Sequence, residues 1–268
     1  PTGIQKQYVK EMLTYSIPLM PNSISWWISN SSDRYIMNVF RGLNELGIYS
    51  VSYKIPSIMA TISAILISAW EMSAVDDFGS EKSRRFFSKI YDLWVYTYII
   101  VCAGLIFFVK VLAYILFQKE FFIAWKFVPI LLFASVFSGL SSFLGTVFTT
   151  AKKTKSVFVT TMAGAGINIV LNFVLIPVWG GYGAAVATAI GYLTTFFARL
   201  VGANRIIKLE VDYKKHFIKM GLLFFMVVLS CLDSVFNYVL GIAILFIERE
   251  FIVNIIESTL EKFLKRKI

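Results

Sequence analysis

The chain has 268 residues, of which 57% are hydrophobic and 16% are charged, and its formal net charge is +10. Average soluble domains carry about 25% charged residues, so this chain has too few charges to cover a water-exposed surface. The basic residues lie in loops between long apolar runs rather than on one folded face, which excludes a nucleic-acid-binding protein. The composition predicts an integral membrane protein.

Eight apolar runs have the length, or nearly the length, of a membrane-spanning helix, which needs about 20 mostly apolar residues. The sequence therefore predicts an all-α polytopic membrane protein. The last two runs are short for full spans. The predicted spans are residues 12–32, 47–74, 90–109, 121–150, 156–178, 182–201, 217–232 and 235–247.

Lysine and arginine are divided unequally between the two sets of alternating loops. Of the 26 such residues, twenty fall with the termini and the even-numbered connections, and six fall on the other side. The richer side of a membrane protein is cytoplasmic, so both termini are predicted to be cytoplasmic. The tail after Glu250 combines apolar residues at helical spacing with Lys262, Lys265, Arg266 and Lys267. It is predicted to lie on membrane lipids at the interface, or else to extend the last span.

The residue types that commonly carry chemistry are sparse. Cys102 and Cys231 lie in apolar runs and are interpreted as small core residues rather than as a disulfide or a metal pair. His216 lies alone in a basic loop, without a second ligand at metal spacing, and is expected to be solvated. No GxxxxGK[ST] run is present, so the sequence offers no P-loop. We expect no metal, no cofactor and no enzyme activity, since no carboxylate pair or catalytic triad appears.

The first predicted span has a polar face and two prolines. The residues on this face are Asn22, Ser25, Ser29 and Ser32. Pro18 and Pro21 interrupt its early turns, and such breaks are tolerated where the backbone lines a cavity or packs on protein. The pattern predicts a hinged, cavity-facing helix; the alternative is polar packing between helices.

Glycine and amide residues mark the region of the fifth and sixth spans. Asn168 and Asn172 lie one helical turn apart, with Gly164 a turn earlier, which predicts a close helix–helix contact. The segment 180–183 contains three glycines and predicts a tight turn.

Three stretches resemble one family. They read YSIPLMPNSISWWISNSSDRYIM from Tyr15, GIYSVSYKIP from Gly47 followed by AWEMSA from Ala69, and NIVLNFVLIPVWGGYGAAVATA from Asn168. Together they resemble the C-terminal part of Wzx-type polysaccharide and O-antigen flippases of the multidrug/oligosaccharidyl-lipid/polysaccharide exporter superfamily.

The resemblance implies a MATE-like fold of two six-helix lobes around a central cavity, often followed by two more helices. Residues 1–203 would be the second lobe and residues 204–268 the extra helices with a basic tail. The first lobe would be absent, so the chain is expected to be a piece of a longer protein. The implied substrate is a polyprenyl-pyrophosphate-linked oligosaccharide, moved across the bacterial cytoplasmic membrane for surface polysaccharide biosynthesis. Implied partners are the missing N-terminal lobe and the polymerase machinery.

Two cations are candidates for binding the pyrophosphate of such a substrate. Asp33 and Arg34 are predicted to close the first span on the periplasmic side, and the planar guanidinium of Arg34 suits phosphate. For Asp33, a structural role at the interface stays open. Lys54 lies about two turns inside the second span, beside the predicted hinge Pro56. Three roles are open for its ammonium group: it binds the substrate phosphate, it pairs with Asp33, or its side chain extends to the membrane surface.

Two further charged residues are weaker candidates. Glu71 lies near the cytoplasmic end of the second span, where it binds a coupling cation or anchors the helix end. Lys126 lies near the start of the fourth span and either adds to a positive cavity or anchors the interface. The leading hypothesis is a lipid-linked oligosaccharide flippase. The alternatives are a cation-coupled multidrug exporter of the same superfamily and a non-transporting scaffold for glycan assembly.

Overall fold

A computed structural model describes residues 10, 12–14, 16, 17, 19–71, 81–249, 251 and 253, and for residues 19–30, 70, 71 and 82 it describes the backbone alone. The predicted hinge Pro18 and nearly all of the predicted interfacial tail lie outside this part. The described elements are α1 (Leu19–Ser52), α2 (Pro56–Glu71), α3 (Glu81–Phe107), α4 (Val109–Leu116), a 3₁₀ helix (Lys119–Lys126), α5 (Val128–Thr150), α6 (Thr154–Trp179), α7 (Gly181–Ile207), α8 (Tyr213–Cys231) and α9 (Phe236–Ile247).

Helix α1 is two helices joined at Gly42, whose φ of 81° and ψ of 175° are not helical. A straight helix would separate residues 33 and 49 by about 24 Å. The Tyr49 hydroxyl nevertheless donates a hydrogen bond to Asp33 Oδ2 at 2.9 Å. The chain therefore reverses at Gly42, where glycine accepts the positive φ at little cost. We call residues 19–41 the first limb and residues 43–52 the second limb.

The prediction that the first span ends at Ser32 and that a loop follows is wrong. Residues 33–41 continue the first limb, and apolar residues such as Ile36 and Met37 are buried there. Asp33 does not close the span at an interface. Its carboxylate is buried and accepts hydrogen bonds from the hydroxyls of Tyr49, in the second limb, and Tyr53, directly after it. The second predicted span begins directly after Gly42 rather than at residue 47.

Eight segments run alternately between the two ends of the described bundle. The first limb is parallel to α6, since Ser32 faces Asn168 at 3.4 Å and the rings of Phe40 and Phe173 meet at 6.5 Å farther along both helices. The second limb with α2 runs back, and α3, α5, α6, α7, α8 and α9 then alternate in direction. We call the end where α6 meets α7 the turn end, and the opposite end the basic end. The basic end carries Lys152, Lys153, Lys155, Lys208, Lys214 and Lys215.

Four described helices are long and apolar enough to cross a membrane, namely α3 from Ser83, α5, α6 and α7. The pair Ser31–Ser52 and Pro56–Ala69, bent by 45°, adds a fifth only when the two helices are counted as one broken span. Helix α8 carries three lysines in its first two turns, and the 12 residues of α9 reach about 18 Å, less than the hydrocarbon thickness. The structure confirms an all-α polytopic membrane protein.

Helix α5 occupies the centre of the bundle. Its buried ring Phe143 packs against Tyr91 and Trp94 of α3, with centroid distances of 5.8 Å and 5.1 Å. At Gly139, an added Cβ would lie 2.1 Å from the Tyr98 hydroxyl, so α3 and α5 approach closely. This aromatic packing fixes one face of α5 and leaves its other faces to α2 and α7.

The predicted close contact between α6 and α7 is confirmed. A Cβ at Gly164 would lie 2.6 Å from the Gly191 carbonyl oxygen, and a Cβ at Gly191 would lie 2.8 Å from Asn168 Cβ. Asn172 Nδ2 donates to Asn168 Oδ1 at 3.1 Å within this contact. The glycine turn is confirmed as well, because α6 ends at Trp179 and α7 begins at Gly181.

Charged contacts attach the α8–α9 hairpin to α3 and α4 at both ends. At the turn end Lys110 pairs with Asp233, and toward the basic end Lys219 pairs with Glu248 across the hairpin. His216 Nε2 lies 2.6 Å from Asp92 Oδ1 of α3. The expectation of a solvated His216 is wrong: the imidazole is buried in α8 against the rings of Tyr91 and Tyr96.

Candidate functional site

A cavity of about 300 Å³ lies between α2, α5 and α7. Eleven described residues line it, of which seven carry a hydroxyl group and none is charged. The lining residues are Tyr53, Pro56, Ser57, Ala60, Ser63, Leu131, Ala134, Ser135, Ser138, Thr188 and Tyr192. An interior wall of hydroxyls and aromatic rings offers hydrogen bonds in both directions together with flat apolar faces.

A buried carboxylate lies behind one wall of this cavity. Asp33 is 0% exposed, and it accepts hydrogen bonds from the Tyr49 hydroxyl at 2.9 Å, the Tyr53 hydroxyl at 3.1 Å and the Arg34 backbone N–H at 2.8 Å. The hydroxyls of Tyr49 and Tyr53 also lie 3.0 Å apart. Since the Tyr53 ring lines the cavity, a single phenol separates the carboxylate from the cavity interior.

Arg34 lies beside the same tyrosine. Its guanidinium carbon is 5.5 Å from the centroid of the Tyr53 ring, and the side chain is exposed. A cation over a tyrosine face is favoured by about 0.5–1 kcal/mol at an exposed site. The guanidinium thus lies exposed beside a residue of the cavity wall, whereas Asp33 is buried behind that wall.

The predicted hinge at Pro56 coincides with a change of direction. The second limb ends at Ser52, α2 begins at Pro56, and the bend of 45° between Ser31–Ser52 and Pro56–Ala69 lies at this break. Pro56 occupies the first position of α2, where its missing N–H costs no hydrogen bond. Tyr53 and Pro56 both line the cavity, so the break directly shapes the site.

The structure does not bring Lys54 and Lys126 to this cluster. Lys54 is exposed, and its Nζ lies 3.4 Å from the Leu116 carbonyl at the end of α4, so it does not pair with Asp33. Lys126 is exposed at the end of the 3₁₀ helix. The backbone of Pro21, Asn22, Ser25, Ser29 and Glu71 is helical, and their side chains lie outside the described part.

Sequence reasoning missed most of the cavity wall. Tyr49 and Tyr53 lie four residues apart on the polar face of an apolar segment, and that spacing was available as a signal. Ser135 and Ser138 give a similar signal on α5. No local pattern, however, connects Tyr49 with Asp33, because the contact depends on the reversal at Gly42.

Glu45 is a second residue that sequence reasoning missed. Its Oε1 accepts a hydrogen bond from the Gly181 N–H at 2.8 Å, and its other oxygen pairs with Arg41 at 2.8 Å. A carboxylate at the first N–H groups of a helix satisfies orphan donors and complements the helix dipole. The second limb thereby caps α7, which carries Thr188 and Tyr192.

Comparison with known proteins identifies the family. The family model MatE matches residues 18–174, more than half of the chain. Searches of curated proteins and of solved structures gave no match. The matched region contains the Asp33 cluster and the α2 and α5 walls of the cavity. The chain belongs to the MatE family, and it is a multi-pass membrane protein of a family of transporters.

Proposed function

We propose that the protein is a flippase for lipid-linked oligosaccharides, and that the cavity between α2, α5 and α7 receives the glycan. The observation that carries this proposal is the lining of the cavity: its described residues supply seven hydroxyl groups, two of them on tyrosines, and no charged side chain. Sugars present many hydroxyls and flat C–H faces. Hydroxyl side chains exchange donor and acceptor roles with them, and aromatic faces stack on them.

The anionic part of such a substrate needs a cation at the edge of the cavity rather than within it. Arg34 meets this requirement, since it is exposed and stands over the Tyr53 ring. Guanidinium binds phosphate oxygens with two parallel hydrogen bonds. Asp33 lies close by, but its carboxylate is buried and hydrogen-bonded to Tyr49 and Tyr53, so it does not itself contact an anion bound at Arg34.

The test uses the complete protein reconstituted in liposomes with a polyprenyl-pyrophosphate oligosaccharide labelled on its sugar. Flipping is measured as the rate at which the sugar becomes resistant to a membrane-impermeant glycosidase. We expect Arg34→Ala to lower this rate roughly tenfold or more, the loss typical of a charge-assisted hydrogen bond. Arg34→Lys should retain part of the rate.

Arg41→Ala is the matched control, because Arg41 is a partly exposed arginine of the same limb that pairs with Glu45 outside the cavity. Its rate should stay within about twofold of the unmodified protein, as expected for an exposed ion pair. An unchanged rate in Arg34→Ala, at equal protein incorporation, would refute the role of Arg34. Absence of any flipping by the unmodified protein would refute the flippase itself.

A cation-coupled multidrug exporter is the second candidate, and the burial of Asp33 favours it. A carboxylate away from water and bonded by two phenols is a natural site for a proton or another cation. In the same liposomes, a lipophilic cationic dye separates the two functions. Gradient-driven dye transport that Asp33→Asn abolishes, without movement of the labelled glycan, would establish the exporter.

A further inference from the structure

A charged side chain lies inside the bundle, and its partners among the residues that the structure describes are all uncharged. Arg199 of α7 is 3% exposed. Among the described residues its guanidinium donates to the Ser141 carbonyl of α5 at 2.7 Å, the Thr161 hydroxyl of α6 at 2.9 Å and the Thr160 hydroxyl at 3.2 Å. None of these acceptors carries a negative charge, so no residue in the described part of the chain neutralises the positive charge. An unneutralised charge inside a membrane protein is costly and usually functional.

Arg199 continues a polar stripe that starts at the main cavity. Thr188, Tyr192, Thr195 and Arg199 follow one another at intervals of four, three and four residues, so they share one face of α7. Thr188 and Tyr192 line the main cavity. Beyond them, toward the basic end, the stripe enters the contact between α6 and α7.

A second, smaller cavity of about 10 Å³ lies in that contact. Thr188 and Tyr192 line it as well as the main cavity, and Thr161, the hydrogen-bond partner of Arg199, lines it from α6. Two residues thus line both cavities, and a third residue, which lines only the smaller cavity, contacts the guanidinium. A space of this size accommodates about one water molecule if polar groups surround it.

One residue that lines both cavities has a buried hydroxyl that a water molecule could satisfy. The Thr188 hydroxyl oxygen is buried, and no described residue forms a hydrogen bond with it. Buried hydroxyls in proteins nearly always have a partner, and ordered water supplies it where protein does not. Thr188 lines both cavities, so its hydroxyl is the group that a water between them would satisfy.

We propose that this polar path is hydrated and that the charge of Arg199 closes it to protons and other cations. A fixed positive charge beside a narrow water-lined passage is a barrier to cations. Arg199 lies eight residues, about 12 Å, from the end of α7 at Ile207, between the main cavity and the basic end. The transporter thereby keeps a polar cavity without short-circuiting the ion gradient across its membrane. The proposal does not depend on which substrate the cavity takes.

The test measures passive proton leak in the absence of any substrate. The protein is reconstituted in liposomes that contain a pH-sensitive dye, and a potassium diffusion potential drives proton entry. We expect Arg199→Gln to raise the protein-dependent leak roughly tenfold, the effect of removing a unit charge about 10 Å or less from the passing proton. Arg199→Lys keeps the charge and should stay at the level of the unmodified protein. Arg205→Gln removes an exposed charge from the same helix and should also leave the leak unchanged.

A second variant separates the charge from the packing. Thr161→Asp places a carboxylate where Arg199 Nη2 now meets the Thr161 hydroxyl, so it neutralises the arginine without removing it. This variant should leak like Arg199→Gln, and it tests the proposal even if Arg199→Gln does not fold. A leak at the unmodified level in folded Arg199→Gln or in folded Thr161→Asp would overturn the barrier. An Arg199→Lys protein that folds and leaks as much as Arg199→Gln would also overturn it. The leak would then be prevented by the hydrogen-bonding geometry of the guanidinium and not by its positive charge.

Discussion

The pair of Lys219 and Glu248 shows how single residues hold the outer hairpin in place. The side chains are 8% and 3% exposed, and the Lys219 ammonium also lies 4.1 Å from the centre of the Tyr96 ring. Both charged groups are buried, so each is stabilised by its partner instead of by water. The Tyr96 ring belongs to α3, and the pair therefore links α8 and α9 to the rest of the bundle.

Removal of the lysine should leave a buried, unpaired carboxylate. We expect Lys219→Met to lower the free energy of unfolding by about 3–5 kcal/mol, the usual penalty for breaking a buried pair. Lys215→Met is the matched control, because Lys215 is exposed one turn earlier and faces the same ring at 5.9 Å. Its effect should be within about 0.5 kcal/mol.

The measurement is unfolding of the purified protein in detergent, followed by the fluorescence of its tryptophans. Equal effects of the two substitutions would contradict the inference that burial makes the pair costly to break. Recovery of stability in Lys219→Met with Glu248→Leu would support it, since an apolar pair of similar volume replaces two charges at little cost.

The burial of residues in such contacts could not be predicted from the sequence, because it depends on partners far away in the chain. His216 and Lys219 lie in a stretch rich in lysine, which is typical of a solvated loop. Their burial follows from Asp92, 124 positions before His216, and from Glu248 at the far end of the hairpin. Arg34 and Asp33 are predicted as candidates because charges next to an apolar run are conspicuous. That Arg34 is exposed while Asp33 is buried depends on Tyr53, which contacts both and cannot be paired with them from the sequence.

At the scale of the helices, the sequence predicted both ends of α6 within two residues and the start of α7 within one, placed the end of α7 six residues too early, and failed at α1. Long apolar runs separated by glycines define α6 and α7. In α1, the charges at Asp33 and Arg34 imitate the end of a span, and the true reversal occurs at a single glycine nine residues later. A carboxylate that is satisfied by distant tyrosines cannot be distinguished from an interfacial one by local pattern.

The turn between α6 and α7 provides a test at this scale. Gly180 has φ 53° and ψ −129°, and an added Cβ would lie 1.8 Å from Glu45 Oε1, the oxygen that caps α7. We expect Gly180→Ala to destabilise the protein by about 1–3 kcal/mol, from backbone strain and displacement of the cap. It should also slow transport, because α7 carries part of the cavity wall.

Gly166→Ala is the matched control within α6. A Cβ at Gly166 meets nothing within 4 Å, and alanine in a helix interior is favoured over glycine by about 0.5–1 kcal/mol. This substitution should leave the thermal midpoint of the detergent-solubilised protein equal or higher. A Gly180→Ala protein as stable as Gly166→Ala would show that the turn tolerates a side chain and that the cap is dispensable.

At the scale of the whole molecule, the basic residues of the described part concentrate at one end. The loops at residues 151–153 and 208–212 lie at that end with α8's first lysines, whereas the turn end has scattered cations such as Lys110 and Lys119. Dense positive charge marks the cytoplasmic side of a membrane protein. We therefore predict that the basic end faces the cytoplasm and the turn end faces the periplasm.

Cysteine labelling in intact cells tests this orientation. In a protein with Cys231→Ser, Lys119→Cys at the turn end should react with an impermeant maleimide, whereas Lys153→Cys at the basic end should react only after permeabilisation. Both positions are exposed, and the remaining native thiol, Cys102, is buried. Reaction of Lys153→Cys in intact cells would contradict this prediction and show that the basic end faces the outside.

The three segments that precede α3 also decide how the cavity wall can be rearranged. Helix α2 follows the second limb after only residues 53–55, and it packs mainly on α5. Its side chains divide between two environments, since Ser57 and Ala60 line the cavity whereas Met59 is fully buried in the hydrophobic core. The Ser63 hydroxyl, which also lines the cavity, is hydrogen-bonded to the Tyr98 hydroxyl of α3. An outward movement of α2 that widens the cavity therefore breaks this bond and uncovers Met59, so the polar wall cannot move independently of the aromatic interior.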